Sequence, residues 1–256
     1  MKKLTFFIIL LFSTAGFSQN KTDSLFIAFK KSSFYESVYP AKMQLENRQK
    51  EIIPELIKLL KDTTFVKLTG TGDLIYPGAT EFYGHGHYVP YDMDWISVRA
   101  GWLLEELTFQ DFGYKIVEID EKDLIKLMKD NYPEYIHKGK LNLTWKKKNT
   151  KEKWIEFRNI LALNAENWWK KNQKDWTRMN AIKEALTSKN ENQLSDVIQY
   201  LRYGETACEG LTKESYEKEI KPIVESLILS EYTDNTRIVI EYLIRDGLGT
   251  DLKNRK

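Results

Sequence analysis

One stretch of the chain gathers residues able to do chemistry: Tyr83-Gly84-His85-Gly86-His87-Tyr88-Val89-Pro90-Tyr91-Asp92-Met93-Asp94-Trp95. Two of the three histidines lie here, two positions apart, and two aspartates follow at the same spacing. On an extended strand, side chains two apart face the same way. His85 and His87 would then offer two imidazole nitrogens to one ion, and Asp92 or Asp94 could return across a turn to complete the set. Zinc suits nitrogen and carboxylate donors of this kind, and metal-assisted hydrolysis is the chemistry it would support. A plainer account competes. His-X-His near acids arises readily by chance, Asp94 stands where a helix cap belongs, and Gly84 and Gly86 can simply serve backbone turns. The spacing also lacks the fixed helical geometry that makes other zinc motifs specific. The expectation is no cofactor, with zinc at His85, His87 and Asp92 as the alternative.

The same stretch is aromatic, with Tyr76, Phe82, Tyr83, Tyr88, Tyr91 and Trp95 close together. Rings with a polar edge anchor interfaces well, so Tyr83, Tyr88, Tyr91 and Trp95 are the candidate binding residues for a peptide, sugar or protein. The competing account buries them on the surrounding helices, as large rings ordinarily are. Elsewhere the chemistry is thin. Cys208 is the single cysteine, no histidine lies near it in sequence, and it reads as a small half-buried residue. Lys146-Lys147-Lys148 beside Trp145 reads as a solvated face, and Glu105-Glu106 and the acids from Glu118 to Asp123 read as helical surface. No Gly-X-Ser-X-Gly, His-Glu-X-X-His or phosphate loop is present.

The elements that must position this stretch are helical. Leu25, Phe26 and Phe29 predict a first short helix. Ile52, Ile53, Leu56, Leu59 and Leu60 recur at the spacing of a helix burying one wide face. Pro54 marks a first turn, so this helix begins near Ile52, and Lys58, Lys61 and Asp62 close it. Residues 62–94 break the pattern with five glycines, two prolines and short β-like pieces at 65–68 and 74–76. Trp95 to Leu107 is helical again, with Val98, Trp102, Leu103 and Leu107 on one side and Asp94 as N-cap. A turn around Gly113 follows. A short helix is predicted over 120–131, and 132–149 reads as an exposed connection where two subdomains would meet. A long helix covers 150–171, and further helices fit 176–187, 191–203, 213–229 and 235–246. Gly204 and Gly247 stand where C-terminal caps belong, and Pro222 splits or kinks its helix.

Antiparallel helix pairs with short turns call for a search for repeats. The segment Ile53-Pro54-Glu55-Leu56-Ile57-Lys58-Leu59-Leu60-Lys61-Asp62, with Val98-Arg99-Ala100-Gly101-Trp102-Leu103-Leu104-Glu105-Glu106-Leu107, resembles a HEAT-type repeat. Pro54, Asp62, Val98, Arg99, Ala100 and Leu103 stand at matching places. The resemblance implies that the proline bends or starts the first helix, the aspartate closes the turn and the arginine bonds to it. Some thirty-five residues interrupt a turn that is short in the family. Residues 220–246 resemble a second unit, with Pro222 and Arg237 in the analogous roles. The predicted fold class is mainly α: an irregular α-α helical array, HEAT-like, with a long loop or small β insertion at about 62–94. Such a fold implies binding to another macromolecule, while fold alone fixes no function.

Residues 1–18 read as a secretory signal peptide: Met1-Lys2-Lys3, then the apolar run from Leu4 to Phe12, then Gly16-Phe17-Ser18. Cleavage after Ser18 is expected, leaving a helical domain at 19–256 in the periplasm or secreted. That removes Lys2 and Lys3 and no acid, so 37 of the 39 basic residues would face 37 acidic ones. A balanced chain has no global field for nucleic acid or an anionic membrane, and no second apolar run predicts a membrane span. The functional expectation is a non-catalytic exported protein that binds a protein or envelope component through the loop at 70–94. The alternative is a metal-dependent hydrolase using His85 and His87.

Overall fold

Helix starts and stops follow the punctuation of the sequence closely. In the computed structural model, residues 21–80, 86–114, 136–141, 150–228, 230 and 232–253 are described, with Lys122 and Ile125 as isolated positions. The architecture is mainly α. Helix α1 (residues 21–29) buries Phe26 and Phe29. A π-helical turn, Phe34–Val38, runs into α2 (Tyr39–Glu46). A 3-10 turn, Gln49–Ile52, leads to α3 (Ile53–Leu59), and Pro54 sits in its first turn. Proline fits there because that amide has no intrahelical acceptor to lose.

Helix α4 (Ile96–Thr108) is the centre of the array, packed by α2 and α3. Asp94 does not cap it. Trp95 holds the N-cap position and no side chain caps the helix. The Ile96 amide donates instead to the Thr64 carbonyl at 3.0 Å, and the Ser97 amide to the Asp62 carbonyl at 3.2 Å. The chain leaving α3 thus satisfies the orphan amides of α4. Gly101, within α4, lets the Tyr114 ring lie against the helix, where a Cβ would collide with it. Phe109 ends α4 in the left-handed region, at φ 54°, and its buried ring meets Tyr200 at 5.3 Å.

A parallel pair, β1 (Leu74–Ile75) and β2 (His87–Tyr88), interrupts the helices between α3 and α4. A small antiparallel hairpin, β3 (Ile136–His137) and β4 (Lys140–Leu141), is the described part of the 132–149 connection. The remainder of that connection, with Lys146-Lys147-Lys148, lies outside the described residues. So do the helix predicted over 120–131, apart from its two isolated positions, and residues 1–18.

The long helix α5 (Thr150–Asn172) packs on α3, and its Trp168 continues a ring chain from Phe112 through Trp169 to Trp176. Helix α6 (Arg178–Leu186) packs on α4 and on α7 (Glu191–Tyr203). Thr177 and Asn190 cap them by accepting backbone amides, and Gly204 ends α7. The 213–229 helix is split as expected. Helix α8 (Lys213–Ser215) and a π-helical turn precede α9 (Lys221–Leu227), with Pro222 in the first turn of α9. Helix α10 (Asp234–Asp246) packs on α7 and ends at Gly247, and α11 (Thr250–Lys253) returns to α7. Buried side chains from Phe26 to Leu252 form one connected core.

A buried charge cluster joins the early and late helices. Glu46 of α2 accepts from Arg178 of α6, from Thr206 at 2.6 Å and from Lys42 at 3.1 Å. Arg178 also reaches the Ala207 carbonyl, at 3.1 Å. Lys42 is shared with Glu106 of α4 at 2.6 Å. Burial alone would raise the Glu46 carboxyl, but Lys42 and Arg178 outweigh it and hold the group at about 2.

No helix among the described residues is long and apolar enough to cross a membrane.

Candidate functional site

The loop between α3 and α4 is closed at its neck before it does anything else. Residues Phe65 and Trp95 form an antiparallel bridge, and the Val66 amide donates to the Asp94 carbonyl at 2.7 Å. A second tie runs to the segment after α1: the Thr69 amide donates to Ser32 at 2.9 Å, and the Phe34 amide to Thr69 at 3.0 Å. The strand pair then forms within the loop, with the His87 amide on the Asp73 carbonyl and the Val89 amide on the Ile75 carbonyl, both at 2.8 Å.

Two buried ionic side chains hold this arrangement. Asp94 is 1% exposed. Its carboxylate accepts from the Leu68 amide at 2.8 Å, from the Tyr76 hydroxyl at 3.0 Å and from Lys67 Nζ at 2.8 Å. Lys67 Nζ also donates to the Gly78 carbonyl. A Cβ at Gly78 would collide with the carboxylates of Asp92 and Asp94, so a glycine is needed where the chain crosses them. Arg99 of α4 is fully buried and donates to four carbonyls: Met93 at 2.9 Å, Phe29 at 2.8 Å, Lys31 at 2.9 Å and Val66 at 3.3 Å. Burial pushes its guanidinium down to about 10, against the pull of Asp94 and Tyr76, so it stays charged at neutral pH.

The expected binding residues divide between core and surface. Tyr91 is 3% exposed, and its hydroxyl donates to Glu105 at 3.0 Å, which places it inside the protein. Tyr76 is buried as well. Trp95 is half-buried, edge-on to Phe65 at 5.0 Å and covered by the Arg158 guanidinium at 4.0 Å. Tyr88 is 68% exposed, and its register partner Ile75 is 39% exposed. The Tyr35 hydroxyl donates to Asp73 at 2.6 Å just before β1; burial, then that carboxylate, pushes the phenol up to about 12. Tyr83 lies outside the described residues.

The two expected metal ligands that are described, His87 and Asp92, sit in different settings. His87 is exposed on β2, and His85 lies outside the described residues. Asp92 is half-buried; burial, opposed by the Asp94 amide it accepts at 3.3 Å, raises its carboxyl. Among the described residues, no group of three His, Cys, Asp or Glu side chains is placed to hold a metal ion. Comparison with protein-family models, with characterised proteins and with solved structures finds no match.

Two acids read from the sequence as surface carboxylates have other roles. Glu105 is fully buried and accepts from the amides of Phe112 and Tyr114 at 2.8 and 3.1 Å, as well as from Tyr91. It fastens both the loop and the turn after α4. Its neighbours Leu103, Leu104 and Leu107 already mark much of that helix as apolar, which was the available signal. Glu106 accepts from the Trp102 indole and pairs with Lys42. Cys208 is buried, and burial pushes its thiol up to about 11, so it is a protonated thiol at neutral pH rather than a nucleophile.

Proposed function

We propose that this protein is an exported, non-catalytic binding protein that recognises a protein or cell-envelope component through the outer edge of the loop at 70–94. The observation that carries this reading is the exposure of Tyr88 beside Ile75 on a strand pair anchored by the buried Leu74 and by Tyr76, which bonds to Asp94. A large ring left in water on an anchored backbone loses little conformational freedom on binding, which is what makes a tyrosine an efficient anchor. The resemblance to HEAT-type repeats supports the same class of function. Pro54 opens α3, the Asp62 backbone meets the start of α4, and Arg99 bonds to the intervening chain. The signal-peptide character of residues 1–18 directs the search for the partner to the cell envelope or the medium.

The test is affinity capture from an envelope extract with the purified protein and its Tyr88→Ala/Ile75→Ser variant. Both side chains are exposed, so the variant should keep the melting temperature of the parent. The partner should be retained by the parent and lost by the variant. Equal capture by both would remove the loop edge as the recognition surface.

A further inference from the structure

The strand pair in the loop has two edges, and they are finished differently. Successive residues of a strand turn their backbone groups alternately to one side and the other. On β2 the His87 amide donates to the Asp73 carbonyl and the Val89 amide to the Ile75 carbonyl, both at 2.8 Å, so residues 87 and 89 face β1. Tyr88, between them, turns its amide and carbonyl away from β1, and neither has a hydrogen-bond partner among the described residues. The far edge of β1 is closed by its own turns. The Leu74 amide donates to the Thr71 carbonyl, and the Tyr76 carbonyl accepts from the Ala79 amide, both at 2.9 Å. The outer edge of β2 is the open one.

The side chains along this edge say what it can take. Ile75 and Tyr88 are register partners and share one face of the pair, and Leu74 and His87 share the other. Leu74 is buried, so its face turns to the core, while the row of Ile75 and Tyr88 stands in solvent. A chain laid against β2 would bond to the Tyr88 amide and carbonyl and set one side chain beside the Tyr88 ring, extending the apolar row by one place. Its next residues in either direction would point to the other face, beside the exposed His87, where polar side chains fit. Pro90 limits the addition. The next outward position has no amide to donate, so the edge accepts a short segment and not a long strand. The edge is also held in place before any partner arrives: Leu74 is buried, and Asp73 accepts from the Tyr35 hydroxyl at 2.6 Å. Little ordering is then needed to receive a strand.

We infer that the partner is a protein, met as a short extended segment that adds as a strand to β2, with an apolar side chain against Tyr88 and polar ones at the flanking positions. The inference rests on the reading of the loop edge as the recognition surface, and it makes the main chain of the partner the group recognised. Main-chain bonds give such contacts their attachment, so an open edge also pairs with a model peptide of the right alternation. The test uses protein labelled with nitrogen-15 at tyrosine, whose Tyr88 amide signal is identified by its absence in Tyr88→Phe. The probe is a soluble peptide of alternating valine and threonine flanked by lysines. Its counterpart has every backbone amide methylated, which keeps the side chains and removes the donors. Excess probe should shift the Tyr88 amide signal and slow its exchange with water by about tenfold, as a newly bonded amide requires. The methylated peptide should do neither. The probe should also displace the partner captured from the envelope extract. An unchanged Tyr88 amide, or equal effects of the two peptides, would overturn the strand addition while leaving the loop edge as a surface read by side chains. Capture that does not distinguish the parent from Tyr88→Ala/Ile75→Ser would overturn the loop edge itself, and this inference with it.

Discussion

Glu46 shows how a single residue ties the chain together. Its carboxylate is buried between α2 and α6, and its stability depends on cations supplied from both sides. The group ionises at about 2 in the folded protein and near 4.3 in an unfolded chain. Its contribution is therefore fully present above about pH 4.3 and is lost as pH falls toward 2. The melting temperature should drop across that window, and Glu46→Gln should melt lower at neutral pH with a shallower acid limb. A variant as stable as the parent at neutral pH, with the same acid limb, would contradict this assignment. Part of this cluster is legible in the sequence, since Lys42 and Glu46 stand four apart on a helix. Arg178 is not, because only the folded chain brings it to Glu46. Asp94 teaches the same lesson. Local pattern makes an acid before a helix a cap, whereas this one is used by Leu68, Tyr76 and Lys67.

The elements themselves were written in punctuation that the sequence displays openly. Pro54 and Pro222 sit in first turns, Gly204 and Gly247 end helices, and the apolar spacing of Ile53, Leu56 and Leu59 falls on the buried face of α3. The loop at 62–94 was legible only as an interruption. Its parallel pairing of Leu74 with His87, and its ties to Ser32 and Phe34, depend on contacts between distant segments that no local period records. Those contacts make the loop part of the scaffold. Replacing residues 70–90 by a short Gly-Ser linker removes the buried Leu74 and Tyr76, the Tyr76 hydroxyl bond to Asp94 and the Gly78 carbonyl to which Lys67 donates. Each buried side chain lost costs about 2–5 kcal/mol, against a typical total stability of about 5–15 kcal/mol. Thermal unfolding followed by circular dichroism should show a product that is unfolded or melts far below the parent. A folded product with the parental melting temperature would mean that the helices close without the loop.

At the scale of the whole molecule, one connected core runs from α1 to α11, and the functional surfaces are what that core leaves outside. The inner rings of the loop, Tyr76 and Tyr91, belong to the core, while Tyr88 and Ile75 do not. This division was out of reach of composition, since all the rings look alike in sequence and only folded contacts, Tyr91 with Glu105 and Tyr76 with Asp94, separate them. The central claim is that the outer loop edge meets a partner. Site-specific photo-crosslinking in cells tests it most directly, with a benzophenone amino acid placed at position 88 and, in a control, at position 238. Ile238 is also exposed, at 45%, but lies on α10. The account predicts a discrete higher-mass adduct from position 88 and none from position 238. No adduct at 88, or the same adducts from both positions, would contradict it.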